Sequence, residues 1–238
     1  MPGLGTIINV SLILLGGCFG LLFGDRLSEG SRDSLMKVNG VAVLFMGLSG
    51  ALSKIFVLEN AVLTTQGTVM MTVSLAAGTV IGELCCIDDQ IERFGHWLKY
   101  KSGSAKDAQF VDGFVTAAFS VCIGAMAVIG SIQDGISGNH SILIAKGVLD
   151  FVIILLLTAS MGKGCIFSAV PVAVFQGTIT VSASFLALLI TDGAMNNISL
   201  VGSVLIFCVG INLVWNLKIK VANMLPSLMI AAAWSYIF

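Results

Sequence analysis

Lys146 and Asp150 lie four residues apart in a stretch, 141–161, that carries no other charged side chain. On a helix that spacing places both on one face. An ammonium and a carboxylate so placed can close a buried gap as a structural ion pair. They can also form a working pair, with Asp150 as a cation or proton site and Lys146 as a movable counter-charge. An arriving cation would then displace the ammonium, and sodium and proton would compete for the carboxylate. Further oxygen ligands are within reach along the chain: Gln176, Thr178 and Thr180 in the next stretch, Asn212 beyond it, and Ser131, Gln133 and Asp134 in a GSIQDG segment read as a turn. Such hard oxygens suit an alkali cation, placed nearest Asp150 and Gln176. The plainer reading of the uncharged members, and of Asn9, is hydrogen bonding from helix to helix. Pro171, shortly before Gln176, is expected to break the helical ladder and free main-chain carbonyls there.

These side chains need elements that hold them in an apolar medium, and the composition supplies that medium. Of 238 residues, 57% are hydrophobic and only 11% charged, against roughly 25% charged in a soluble domain. A membrane-crossing helix needs about 20 apolar residues. Between the charges lie the start of the chain up to Asp25, then 38–58, 60–82, 113–133, 141–161, 164–191 and 193–217, with a shorter stretch at 221–238 that contains Pro226. The expected fold is all-α: a polytopic integral membrane helix bundle with 7–8 transmembrane helices in one domain, 1–238. All the Lys and Arg residues except Lys54 and Lys146 follow the first, third, fifth or seventh span. By the positive-inside rule that side is cytoplasmic and the N-terminus lies outside. Two of the basic connections, 25–37 and 84–108, read as interfacial amphipathic segments. In the second, Ile87, Ile91, Phe94 and Leu98 recur at helical spacing and Trp97 is a membrane anchor.

The run LLGGCFGLLFG near the start admits two readings. Leu15-Gly16-Gly17-Cys18 has the look of a lipoprotein cleavage box, but no Lys or Arg precedes it and the apolar run continues past Cys18. The alternative is a retained helix whose Gly16, Gly20 and Gly24, four apart, let another helix approach closely. That stripe suits a contact within the chain or a homo-oligomer interface. GTIINVSL at 5–12 and GTVMMTVSL at 67–75 also align with one insertion, after which Gly16 and Gly20 match Gly78 and Gly82. The helix hairpins 5–58 and 67–133 therefore read as an internal repeat, and GTITVS at 177–182 echoes the motif. Transport folds are often built from such repeats.

Several functions find no support. The net charge of −1 gives no footprint for nucleic acid. The six cysteines and two histidines show no zinc spacing and no catalytic Cys/His pair. There is no phosphate-binding glycine loop, so ATP-driven transport by this chain alone is not expected. No cofactor is implied.

The segments GTIINV, SLMKVNGV (34–41), MAVIGSIQDG (126–135), FQGTIT (175–180) and KVANMLP (220–226) together resemble the YqgA-like family of uncharacterised bacterial inner-membrane proteins. The resemblance covers nearly the whole chain. It implies the bacterial inner membrane and a sodium-channel or pump role, and it carries over no established catalytic or binding residue. From the residues, the expectation is a channel or secondary transporter for a small cation, sodium or proton first, or for a small solute, with the lipid bilayer as partner. A non-transporting scaffold or regulator is the alternative. A membrane-embedded enzyme would have to be built on His140 beside GSIQDG, and no enzyme is expected.

Overall fold

The computed structural model describes residues 2–24, 26–59, 62–104, 107–122, 125–183 and 191–237. Among the described residues six helices are long and apolar enough to cross a membrane, or seven if one bent pair is a single span. In chain order the elements are α1 (Leu4–Gly24), α2 (Glu29–Ile55), β1 (Phe56–Glu59), β2 (Val62–Thr65), α3 (Thr68–Cys85), α4 (Ile87–Lys101), α5 (Phe110–Cys122), α6 (Ala125–Ser137), α7 (Ser141–Met161), a 3₁₀ turn (Lys163–Ser168) and α8 (Ala169–Val181). Then follow α9 (Asp192–Trp215), a second 3₁₀ turn (Val221–Met224) and α10 (Pro226–Trp234). The bent pair is α5 with α6, and the short apolar stretch at the end is Val221–Trp234.

Several elements differ from the sequence reading. The chain reverses between α2 and α3 through an antiparallel hairpin, Phe56 opposite Thr65 and Glu59 opposite Val62. Its Val, Phe and Thr residues favour extended backbone, so the helix covering 38–58 ends at Ile55 and the one covering 60–82 begins at Thr68. The segment 25–37 makes no separate interfacial helix. Instead Glu29 begins α2, which runs unbroken to Ile55. The expected single span at 113–133 falls on two helices, α5 and α6, bent by 60°, with 123–124 outside the described residues. GSIQDG is no turn but part of α6. Pro171 falls in the first turn of α8, where a missing N–H is tolerated, so the helix continues past Gln176 and no carbonyl is freed there. Part of the stretch 164–191, at 184–190, lies outside the described residues.

Contacts divide the chain into two units. One holds Met1–Asn39, Ile91–Cys122 and Met126–Leu188; the other holds Gly40–Gln90, Ile123–Ala125 and Leu189–Phe238. In the first unit α1 and α7 run side by side in the same direction. A side chain at Gly16 would strike the backbone of Phe151, one at Gly20 would strike Leu155 and Thr158, and one at Gly24 would strike Ala159. The glycine stripe of α1 thus packs within the chain, on α7. On the same face Asn9 and Ile13 are fully buried. Phe19 adds an edge contact with Phe151 at 6.1 Å between ring centroids. The amphipathic α4 presses Gly95 and Leu98 onto Val111 and Phe114 of α5. Its Trp97 and Tyr100 stay exposed, the disposition of an interfacial anchor.

In the second unit the corresponding glycines of α3 meet a different neighbour. Gly78 backs onto Ser227 of α10, and Gly82 onto Asn223 in the 3₁₀ turn before it. The side-chain oxygen of Asn223 also accepts from the backbone N–H of Asp88 at 2.8 Å, which ties the start of α4 to this turn. Gly40, Gly47 and Gly50 of α2 line its approach to α9 at Leu213, Phe207 and Ser203, so these two helices run antiparallel.

The two units share one architectural device. Each contains a long helix, then a 3₁₀ turn, then a proline-led helix. Lys163 and Pro171 in the first match Lys218 and Pro226 in the second at the same spacing.

The α1–α7 contact predicts a sharp contrast between two glycines. Gly20→Leu should destabilise the fold by about 1–3 kcal/mol through overpacking. Gly30→Ala, with nothing within 4 Å of the new methyl group, should raise stability by roughly 0.5–1 kcal/mol. Thermal unfolding of the two purified variants in detergent measures both. Equal melting temperatures would contradict the close approach.

Candidate functional site

Lys146 projects from α7 into the interior of the first unit, where it and Asp150 are 6% and 3% exposed. The Lys146 ammonium donates to the Asp150 carboxylate one turn on. It also donates to the carbonyl of Val121, at 2.6 Å. Val121 belongs to α5, and residues 123–124 just beyond it lie outside the described residues. The ammonium therefore sits between the Asp150 carboxylate and a main-chain carbonyl oxygen.

Asn9 of α1 lies beside this pair. A side chain at Gly147 would come within 3.2 Å of the Asn9 Cα and 3.4 Å of its Oδ1. Asn9 also interacts with Asp150, although its amide completes no hydrogen bond of ordinary geometry. Across α1, the Thr6 hydroxyl meets that of Thr180 on α8, at 3.4 Å. Gln176, one turn before Thr180, is fully buried, and neither end of its amide is bonded. Leaving such groups unpaired costs about 1–3 kcal/mol each.

Asp134 performs a separate task in the same unit. It is fully buried on α6. Its Oδ2 accepts from the backbone N–H groups of Gly3 and Gly5, each at 3.1 Å, which satisfies donors at the start of α1. Its Oδ1 is 2.9 Å from Nδ1 of His140. The carboxylate thus fastens α6, the head of α7 and the head of α1 together. His140 is accounted for by this contact.

The remaining candidates fall in different places. Ser131, a turn before Asp134 on α6, is buried with an unbonded hydroxyl. Gln133 is half-buried. Thr178 is exposed, and its hydroxyl returns to the carbonyl of Val174 in its own helix. Asn212 belongs to the second unit. Its amide donates to the carbonyl of Ile219 and its oxygen accepts from the Ile219 N–H, at 2.9 and 3.0 Å, so it fastens the segment after α9. Among the described residues no three His, Cys, Asp or Glu side chains converge as metal ligands.

The structure thus gathers Ser131, Asp134, Lys146, Asp150, Gln176 and Thr180 in one unit and adds three groups to them. The Val121 carbonyl carries no sequence signal of its own, since every residue has a main-chain carbonyl. Thr6 and Asn9 did leave one: Asn9 lies on the glycine face of α1, which faces other helices.

The repeated helix–turn–helix device offers an internal comparison. By the Lys/Pro spacing, Lys146 and Asp150 correspond to Val201 and Leu205 of α9. Both of those are fully buried. The second unit fills with aliphatic side chains the positions where the first places charges, so a helix in this setting does not require the ion pair in order to pack.

These features define a multi-pass α-helical membrane protein with a buried charged pair on α7 that reaches a main-chain carbonyl of α5. The chain belongs to the family described as "Protein of unknown function (DUF554)", which matches residues 4–236. It is 28% identical over 240 residues to "Uncharacterized protein YqgA" of Escherichia coli (strain K12), covering 98% of this chain and 97% of that one. It is 26% identical over 226 residues to "Uncharacterized membrane protein YdfK" of Bacillus subtilis (strain 168), covering 95% and 93%. No solved structure matches the chain. The family resemblance read from the motifs is borne out.

Removing one member of the pair should be far worse than removing both. Lys146→Met or Asp150→Leu alone leaves a buried charge and should cost about 3–5 kcal/mol. The double variant Lys146→Val/Asp150→Leu, which copies the second unit, should lie within about 1 kcal/mol of the wild type. A double-mutant cycle by thermal or denaturant unfolding checks this, and additive losses would refute the coupling.

Proposed function

We propose that the protein moves a small cation across the membrane, as a channel or secondary transporter, with sodium or proton as the first candidates. One observation carries the reading: the buried Lys146 ammonium occupies an oxygen site made by the Asp150 carboxylate and the main-chain carbonyl of Val121. Transporters hold coupling cations with such oxygens, main-chain carbonyls among them. Here the site is filled by a tethered cation. A mobile cation entering beside Asp150 would replace the ammonium, and Lys146 would return when the cation leaves. The exchange conserves charge at every stage, so no bare carboxylate is left in an apolar interior.

On this reading the chain is a conductor or carrier and not an enzyme. It lies in the bacterial inner membrane, and the bias of Lys and Arg places the N-terminus outside. α4, with Trp97 and Tyr100 exposed, then rests on the cytoplasmic headgroup layer. A second reading, a non-transporting scaffold, draws support from the internal bonding of Asp134, Asn212 and the Lys146–Asp150 pair.

Reconstitution in liposomes separates the two. Sodium, proton and potassium flux would be measured for the wild type and for Asp150→Asn. Loss of a charged ligand worth about 1.5–3 kcal/mol should lower the flux of the carried ion roughly 10- to 100-fold. Unchanged flux in the variant removes Asp150 from the path. No flux of any ion in the wild type leaves the scaffold.

A further inference from the structure

Asn9 and Gln176 are both fully buried, and among the described residues neither amide completes a hydrogen bond of ordinary geometry, Asn9 keeping only its contact with Asp150. In the same unit Asp134, Thr6, Thr180 and Lys146 have partners, and the hydroxyls of Ser131, Thr158 and Ser168 are buried without one among the described residues. Two unbonded amides in one apolar interior are unusual, because buried polar side chains are nearly always satisfied.

Helix geometry places the two amides at one level. Thr6 of α1 meets Thr180 of α8, while Gly17 of α1 packs on Ile166 just before α8, so the helices run antiparallel. Asn9 lies one turn past Thr6, and Gln176 lies one turn before Thr180. Both steps lead the same way along the pair. On a third side is Gly147 of α7, whose lack of a side chain lets α1 pack closely there beside Asn9. The second unit again gives a contrast: by the proline spacing Gln176 corresponds to Ala231, which is fully buried.

The chemistry of the unbonded atoms selects the ligand. Each amide offers an acceptor oxygen and two N–H donors. A bare cation would satisfy the oxygens and abandon the donors, and an anion would do the reverse. Only a ligand that both donates and accepts completes the set. We infer that Asn9 and Gln176 form a binding site, beside Asp150, for a small neutral ligand that both donates and accepts hydrogen bonds. Water has this chemistry, and so does a small amide or polyol solute. The site goes beyond the cation reading and does not depend on it, since a hydrogen-bonded ligand can rest there whether or not an ion passes.

The test uses the intact protein in bilayers. Solid-state NMR of the 15N-labelled chain would follow magnetisation transfer from water protons to side-chain amides. Asn9→Leu and Gln176→Met identify the two signals by their loss. Should either variant fail to fold, Asn9→Asp and Gln176→Glu supply the assignment. Both amides should receive water magnetisation as quickly as the exposed Asn139. Transfer as slow as at the buried, internally bonded Asn223 would overturn the site, unless 13C-labelled urea, added as a solute probe, gives cross-peaks to both amides. Urea contacts would identify a solute site, and rapid water transfer without urea contacts would identify a water site. Neither signal in either arm sinks the proposal, whatever the flux measurements give.

Discussion

The Lys146 ammonium is buried in the first unit and is held by two oxygens, the Asp150 carboxylate and the carbonyl of Val121 on α5. A charge in an apolar interior is costly and persists only when it is paired and hydrogen-bonded. The lysine and the aspartate therefore depend on each other, and the carbonyl completes the pairing. The polar interior of the first unit is arranged around it: α1 passes beside α7, and α8 passes beside α1.

Close helix approach makes that arrangement possible. Gly16, Gly20 and Gly24 bring the α1 backbone against α7, and this carries Asn9 to the flank of the charged pair. A bulkier stripe would hold α1 farther off and separate Asn9 from Gly147. Asp134 fixes the other end of the same helix by holding its first N–H groups. Packing and polar chemistry therefore act on the same helix: the glycines set its distance from α7, and the aspartate anchors its end.

The second unit shows what this architecture looks like without charge. It repeats the long helix, the 3₁₀ turn and the proline-led helix, and places Val201, Leu205 and Ala231 at the levels of Lys146, Asp150 and Gln176. An aliphatic interior suffices there. The charges of the first unit carry a desolvation cost that well-packed aliphatic residues avoid. Their presence in one unit and their absence in the other set the first apart as the place where polar chemistry is concentrated.

Much of this was legible in the residue order. Apolar run lengths gave the membrane class and most of the spans, the i, i+4 spacing gave the Lys146–Asp150 pair, and Ile87, Ile91, Phe94 and Leu98 gave the amphipathic α4. These are local properties, fixed by side-chain transfer energy and helical periodicity. The strand pair 56–59 and 62–65, the continuity of α2 and the bend between α5 and α6 were not legible, because apolar residues fill helices, strands and helix ends alike. Tertiary contact decided which groups meet: the glycine stripe met α7, Thr178 and Asn212 went to other tasks, and a main-chain carbonyl joined the site. A carbonyl is present at every residue, so only the folded chain could determine which one was left for Lys146 to bind.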